Sequence, residues 1–430
     1  MLNNIKILQD ERLGIGGVFL LGIACALAPS VAEIITAALV MMAIVVLAQH
    51  RSPLREPPMI LSLVWIGFVL LSATYAAAND LPGNHFKALG KHLPIALGPI
   101  VAVTFAFWRL RRDTTLVAFI SGLAIGATVL LIRNGAISVI AGEFVAPDRA
   151  FIGHINRNSA GLACGLLMIS AATLLQSVVL QKPLGLVFTA CSAAALGGTI
   201  IFAELLLISL QSRTALIATG IAMVIWFGAQ LRYGFGRHAG GRRYRYAAVA
   251  LLASIVIVSV TNWSTITQRF GSLMTAAMGI GRPLDKLDAS GQDRLALTAL
   301  AVDLVQQRPL LGWGPDASRL PALFGQTSGV KSLTQFHNGY LQMLVNFGVI
   351  GGLLMTALLA VTLRAAVRSQ GSMPAAAFSG ALALAAYVAV SNITESVLFV
   401  KPAAASTTIL IALACMPNIG RRLSQHPPAA

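Results

Sequence analysis

Residues 335–363 read QFHNGYLQMLVNFGVIGGLLMTALLAVTL. A short polar head around His337 and Asn338 runs into a stretch without a single Lys, Arg, Asp or Glu. Crossing the ~30 Å hydrocarbon core of a bilayer takes roughly 20 mostly apolar residues in helical form, and this run supplies them. It reads as a membrane span, 339–363, with polar chemistry at its first turn. Stretches of the same kind recur from one end of the chain to the other. Of 430 residues, 57% are hydrophobic and 11% charged, where a water-soluble chain usually carries about 25% charged residues. Lipid is the solvent that accounts for the missing charge. The fold class that follows is all-α, a polytopic transmembrane helical bundle.

Eleven further spans fall at about 13–29, 31–48, 58–78, 88–108, 114–132, 159–180, 184–208, 213–231, 246–262, 374–391 and 399–417. The first has the shape of a cleavable signal peptide as well: Lys6 and Arg12, an apolar run, then Ala26-Leu27-Ala28. Twelve spans leave both termini on one side. The short connections on that side collect 17 Lys and Arg, against 7 on the other (Lys87, Lys91, Arg133, Arg149, Arg157, Arg213 and Lys401). The richer side is expected to be cytoplasmic. Because the net charge of +16 is distributed in this way, it does not call for a nucleic-acid partner. The four cysteines, Cys25, Cys164, Cys191 and Cys415, lie inside apolar runs without metal-like spacing, as buried small hydrophobes would.

The expected organisation is spans one to nine over 1–262, a large outer loop over 263–338, and spans ten to twelve with a short tail over 339–430. The loop gathers Asp285, Asp288, Asp293, Asp303 and Asp316. Within it, 292–307 reads as a helix with Leu297, Leu300, Ala301, Leu304 and Val305 on one face. Such a helix lies on the membrane surface or packs over the bundle. Arg308-Pro309 stops it, and Gly312, Gly314 and Pro315 form a turn.

Candidate site residues concentrate on the outer side. Arg213, after Gln211-Ser212, opens a span. A guanidinium near hydrocarbon is costly and usually has a partner or a task, although a snorkelling arginine would look the same. His154, Asn156, Arg157, Asn158 and Ser159 crowd the outer start of the sixth span; capping accounts for Asn158 or Ser159 alone. Arg294 follows Asp293 in the loop helix, a surface pair or a binding cation. His337, Tyr340, Leu341, Leu344 and Gly348 follow helical spacing, which puts His337 at the top of one face of the tenth span. The positive end of the helix dipole there disfavours imidazolium and favours a proton-accepting ring. A capping or interfacial histidine is the plainer alternative. No His-x-x-x-His, paired carboxylates or phosphate loop is present, so neither a metal nor a cofactor is expected. A reaction outside the cytoplasm then needs a preactivated substrate, such as a sugar on a lipid pyrophosphate.

At these residues the chain resembles the O-antigen ligase family, within the wider group of O-antigen ligases and polymerases. The resemblance rests on His337-Asn338-x-Tyr340-Leu341 running into Leu344, Gly348 and Gly351, on Ser212-Arg213-Thr214 opening a span, and on Pro309-Leu310-x-Gly312-x-Gly314. It implies a membrane glycosyltransferase fold of the GT-C type in a bacterial inner membrane, with its active site in the periplasm. The implied reaction moves O-antigen polysaccharide from undecaprenyl pyrophosphate to lipid A-core, with inversion and without a metal. The donor's departing pyrophosphate suits Arg213 and Arg294, with Arg157 as a further candidate. His337 would take the acceptor's proton or bind phosphate. Asn338, Tyr340, His154 and Asn156 stand as supporting groups. An O-antigen polymerase or a protein O-oligosaccharyltransferase would share this chemistry. The short tail after Arg421-Arg422 favours a lipid acceptor. A lipid-linked glycan flippase is the rival from another class, but it should hold charge mid-membrane, where this chain has Glu33 near a span end, Glu204 and little else.

Overall fold

The computed structural model describes residues 11–133, 151–152, 155–176, 186–210, 212–233, 253, 260, 289–325, 335–368, 375–396 and 401–425. The sequence dictates helices because in lipid every backbone polar group must be satisfied within its own segment. In chain order they are α1 (Glu11–Leu27), α2 (Pro29–Gln49), α3 (Pro57–Ala78), α4 (His85–His92), α5 (Pro94–Phe107), α6 (Arg112–Arg133), α7 (Arg157–Leu174), α8 (Leu186–Leu210), α9 (Arg213–Tyr233), α10 (Ala289–Gln307), α11 (Leu320–Phe324), α12 (Gly339–Arg368), α13 (Ala375–Thr394) and α14 (Lys401–Gln425). A two-residue antiparallel ladder, Phe151–Ile152 with Ile155–Asn156, precedes α7.

Among the described residues, six helices are long and apolar enough to cross a membrane, or seven if α4 and α5 form one bent span. Large apolar side chains such as Ile34, Met41, Leu71, Val224 and Leu353 point outward, the arrangement of a protein dissolved in lipid. The expected continuous span over 88–108 is corrected. Pro94 has no N–H to donate and restricts the residue before it, so the helix breaks at Leu93 and α4 meets α5 at 53°. The expected ninth span, 246–262, lies outside the described residues apart from 253 and 260. Cys191 is exposed, unlike the buried Cys25, Cys164 and Cys415.

Packing relies on close approach rather than on hydrophobic force, which lipid does not supply between helices. α1 lies against α6 because Gly22, Gly122 and Gly126 let backbone meet backbone; a Cβ on Gly126 would come within 2.7 Å of the Ile23 carbonyl oxygen. α14 lies against α5, with Thr408 Oγ1 donating to the Pro94 carbonyl at 2.6 Å. α13 packs on α7 and α9, and Tyr387 donates its hydroxyl to Leu162 at 2.7 Å. Deep between them Gln176, Gln230 and Ser379 bond to one another, a polar cluster with its own partners.

A second, smaller core lies beneath α10. The helix begins three residues before the expected 292 and ends at the expected Gln307. Leu297, Ala301 and Leu304 are buried against Trp313, Phe336 and Val345. Of the two settings open to this helix, packing over the bundle is the one observed.

The turn after α10 locks onto α12. The expectation of an unbroken helical face through Gly348 is corrected, because Gly348 takes φ 62° and breaks the helix. The turn fills the break. Val349 N–H donates to the Pro309 carbonyl at 2.8 Å, Trp313 N–H to Val345 at 2.9 Å and Gly314 N–H to Asn346 at 2.9 Å. Gly312 (φ 68°) allows the contact; a Cβ there would sit 2.6 Å from the Asn346 backbone. Arg308 stacks over the Trp313 ring at 4.9 Å, and Trp313 Nε1 donates to the Leu304 carbonyl at 2.8 Å.

Candidate active site

The segment before α12 is held by side chains at the start of that helix. Asn338 caps α12: its Oδ1 accepts from the N–H groups of Tyr340 (3.0 Å) and Leu341 (3.1 Å). Gln342 Oε1 accepts from Phe336 N–H at 3.2 Å, and Gln342 Nε2 donates to Asn346 at 2.8 Å. Between these tethers His337 is held at φ 49°. A non-glycine residue in that left-handed region costs on the order of 1–3 kcal/mol and persists where surroundings over-determine it. His337 therefore stands in the turn before the helix, not on its face as the spacing suggested. The reason is the Asn338 cap, which starts the helix at Gly339.

The displaced imidazole meets Glu395, just past the end of α13. His337 Nδ1 lies 3.0 Å from Glu395 Oε2. Oε1 of the same carboxylate accepts from Arg294 Nη2 at 2.9 Å and from Asn158 Nδ2 at 2.8 Å. Asn158 Oδ1 in turn accepts from Ser212 Oγ at 3.1 Å. The Glu395 side chain is only 9% exposed. Burying a carboxylate is expensive unless it is paired and hydrogen-bonded, and three donors from three separate elements meet that need. One acid thus ties α7, α10, the turn before α12 and the end of α13 into a single knot.

The arrangement defines the chemistry of the ring. Facing a carboxylate, Nδ1 is the nitrogen that donates, so the neutral form of the ring presents Nε2 as its acceptor. Arg294 keeps about a third of its side chain exposed on the other oxygen of the same carboxylate, so a guanidinium and an imidazole are held by one acid. Arg294 is paired with Glu395 rather than with its neighbour Asp293.

The other candidates take different places. Half-buried Arg213 opens α9 directly after Ser212, at the edge of the knot. Arg157 opens α7 one residue before Asn158, and Asn156 pairs in the short ladder; their side chains, like all of His154, lie outside the described residues. Asn338 is occupied as the cap, and Tyr340 donates its hydroxyl to the Ala389 carbonyl at 3.0 Å, joining α12 to α13. Among the described residues no three His, Cys, Asp or Glu side chains gather as metal ligands would.

Sequence reasoning missed Glu395, and gave Asn158 and Ser212 only a capping role and a place in a motif. The signal for Glu395 was available: a lone carboxylate in Asn392-Ile393-Thr394-Glu395-Ser396, at the end of an apolar run, where an acid needs a partner.

An apolar groove of about 270 Å³ begins beside the histidine turn, at Gly339, Tyr340 and Asn392, and continues along Leu344, Leu353 and Leu359 of α12.

Residues 197–356 match the O-antigen ligase family. The matched segment holds Arg213, Arg294 and His337, whereas Asn158 and Glu395 fall on either side of it. No curated protein matches the chain.

Proposed function

From the premise of an O-antigen ligase domain over residues 197–356, we propose that this helical membrane protein transfers O-antigen polysaccharide from undecaprenyl pyrophosphate to lipid A-core. On this reading it is a twelve-span enzyme of the GT-C type in a bacterial inner membrane. Both termini are cytoplasmic and the Glu395 knot faces the periplasm. The observation that carries the proposal is that a single buried carboxylate brings Arg294 and His337 together at one point.

The chemistry follows from that juxtaposition. The acceptor hydroxyl gives its proton to His337 Nε2 as its oxygen attacks the anomeric carbon. The bond from that carbon to the pyrophosphate oxygen breaks on the opposite face, and the pyrophosphate leaves with the electron pair. Single displacement inverts the anomeric centre without a metal. Negative charge grows on the leaving oxygens, and fixed cations aimed at developing charge are often the largest catalytic contribution. Arg294 and Arg213 serve that role, and Arg157 joins them from the start of α7. Glu395 does not touch the sugar. It holds the imidazole in the tautomer that accepts a proton and balances the imidazolium that forms. The donor's polyprenyl chain lies in the apolar groove of α12, which starts at the histidine turn.

A positioned general base contributes about 10²–10⁴-fold. His337→Ala in purified enzyme, with lipid-linked donor and lipid A-core acceptor, is expected to lose that much turnover while remaining folded. Near-normal transfer would sink the base assignment. Elongation of the donor without added acceptor would point to polymerisation instead.

A further inference from the structure

A ligase must hold two lipids, and the groove beside His337 accommodates one. At the end of the turn at 308–316, beside Asp316, lies a larger cavity of about 820 Å³. Its rim is cationic. Lys87 and Lys91 stand four residues apart on α4, both exposed, and Arg319 reaches in from the loop. Two like charges at that spacing weaken a short helix unless an anion lies between them. Neither lysine has an ion-pair partner among the described residues. Both carboxylates in the wall, Glu33 and Asp316, have partners, and those of Asp316 lie at the rim. Asp316 accepts from Asn84 N–H at 2.7 Å and from Arg319 at 3.5 Å. Below the rim the lining turns apolar, with Leu97 of α5 and Ala405 of α14.

The cavity and the histidine turn are two ends of one polar chain. Pro315, next to Asp316, accepts from His92 Nε2 at 2.8 Å. Asn346 Nδ2 donates to the same Pro315 carbonyl at 3.3 Å, and Gln342 joins Asn346 to Phe336, the neighbour of His337. The cavity therefore opens at the same end of the bundle as the Glu395 knot.

We propose that this cavity seats the acceptor, a phosphorylated glycolipid. Lys87, Lys91 and Arg319 grip its phosphate groups, and its apolar part lies along α2, α5 and α14. Three donors set around a space this wide suit a headgroup with more than one phosphate better than a single phosphodiester. The acceptor role rests on the transferase reading above; the binding itself does not.

The test is direct binding to purified full-length protein, with no transfer step. The probe is a bisphosphorylated glucosamine-disaccharide lipid. Its dephosphorylated form, phosphatidylglycerol and inorganic phosphate serve as comparators. The expected result is at least tenfold weaker binding of the probe to a Lys87→Gln/Lys91→Gln double variant and to Arg319→Gln. Arg319→Lys and His337→Ala should bind as the parent does, and the dephosphorylated lipid at least tenfold more weakly. Parental affinity in the double variant, equal uptake of the dephosphorylated lipid or of phosphatidylglycerol, or displacement by millimolar inorganic phosphate alone would overturn the proposal. If binding follows expectation while His337→Ala transfers glycan normally, the ligase reading fails and the lipid site stands.

Discussion

Two neighbouring regions anchor α12 and the turn before it by opposite means. The clasp of Pro309 to Gly314 on the break at Gly348 works through backbone hydrogen bonds and missing side chains. The knot at Glu395 works through side-chain charge: one carboxylate, a guanidinium, a carboxamide and an imidazole. The clasp fixes where α12 breaks, and the knot sets what the residues before the helix can do. Damage should therefore divide cleanly. Changes in the clasp should lower stability first and activity through it, whereas changes in the knot should lower activity in a protein that still folds.

The largest departure from parental behaviour is expected at the knot. Glu395→Gln keeps the shape of the side chain but removes its charge, freeing the ring to take the wrong tautomer. Turnover should fall about 10²-fold or more, at the scale of a positioned acid–base group, with an unchanged thermal midpoint. A loss of stability with normal turnover per folded molecule would place Glu395 with the clasp. Next comes the clasp itself. Gly348→Ala forces a Cβ onto the Leu310 backbone in a left-handed conformation and should cost on the order of 1–3 kcal/mol, seen as a lower midpoint in detergent. An unshifted midpoint would mean that the break in α12 carries no load. Smaller is Asn158→Ala, which cuts the link from Ser212 to Glu395 but leaves the carboxylate held by Arg294 and His337; turnover should drop several-fold with little change in the thermal midpoint. Smallest is Tyr340→Phe. Its hydroxyl ties α12 to α13 at the Ala389 carbonyl, a bond worth about 0.5–1.5 kcal/mol. Turnover should stay within a few-fold; a collapse of activity would assign Tyr340 to the substrate.

Much of this division was legible in the chain. Hydrophobic runs of span length predicted α2, α3, α6 and α12, because lipid leaves a backbone few alternatives to the helix. The periodicity of Leu297, Ala301 and Leu304 gave the buried face of α10. Gly312 and Gly314 announced a turn, yet its docking partner was hidden. Gly348 fits helical spacing perfectly well, and only the approach of residues 309–314, distant in sequence, breaks the helix there. His337 and Arg213 stood out as polar groups at span ends, and Arg294 as a cation in the loop helix. Glu395 did not, since it is one acid in an ordinary loop and its meaning comes from three partners 58, 101 and 237 residues away. Periodicity reports local faces, and a knot of this kind is non-local.

The decisive measurement is a double-mutant cycle on turnover, with His337→Ala, Glu395→Gln and the combination in purified protein with lipid-linked donor and lipid A-core. Groups that act as a unit give strongly non-additive losses. If the carboxylate works through the imidazole, the double variant should be no slower than His337→Ala alone. Losses that simply multiply would mean the two side chains contribute independently, and the account built on their pairing would be wrong.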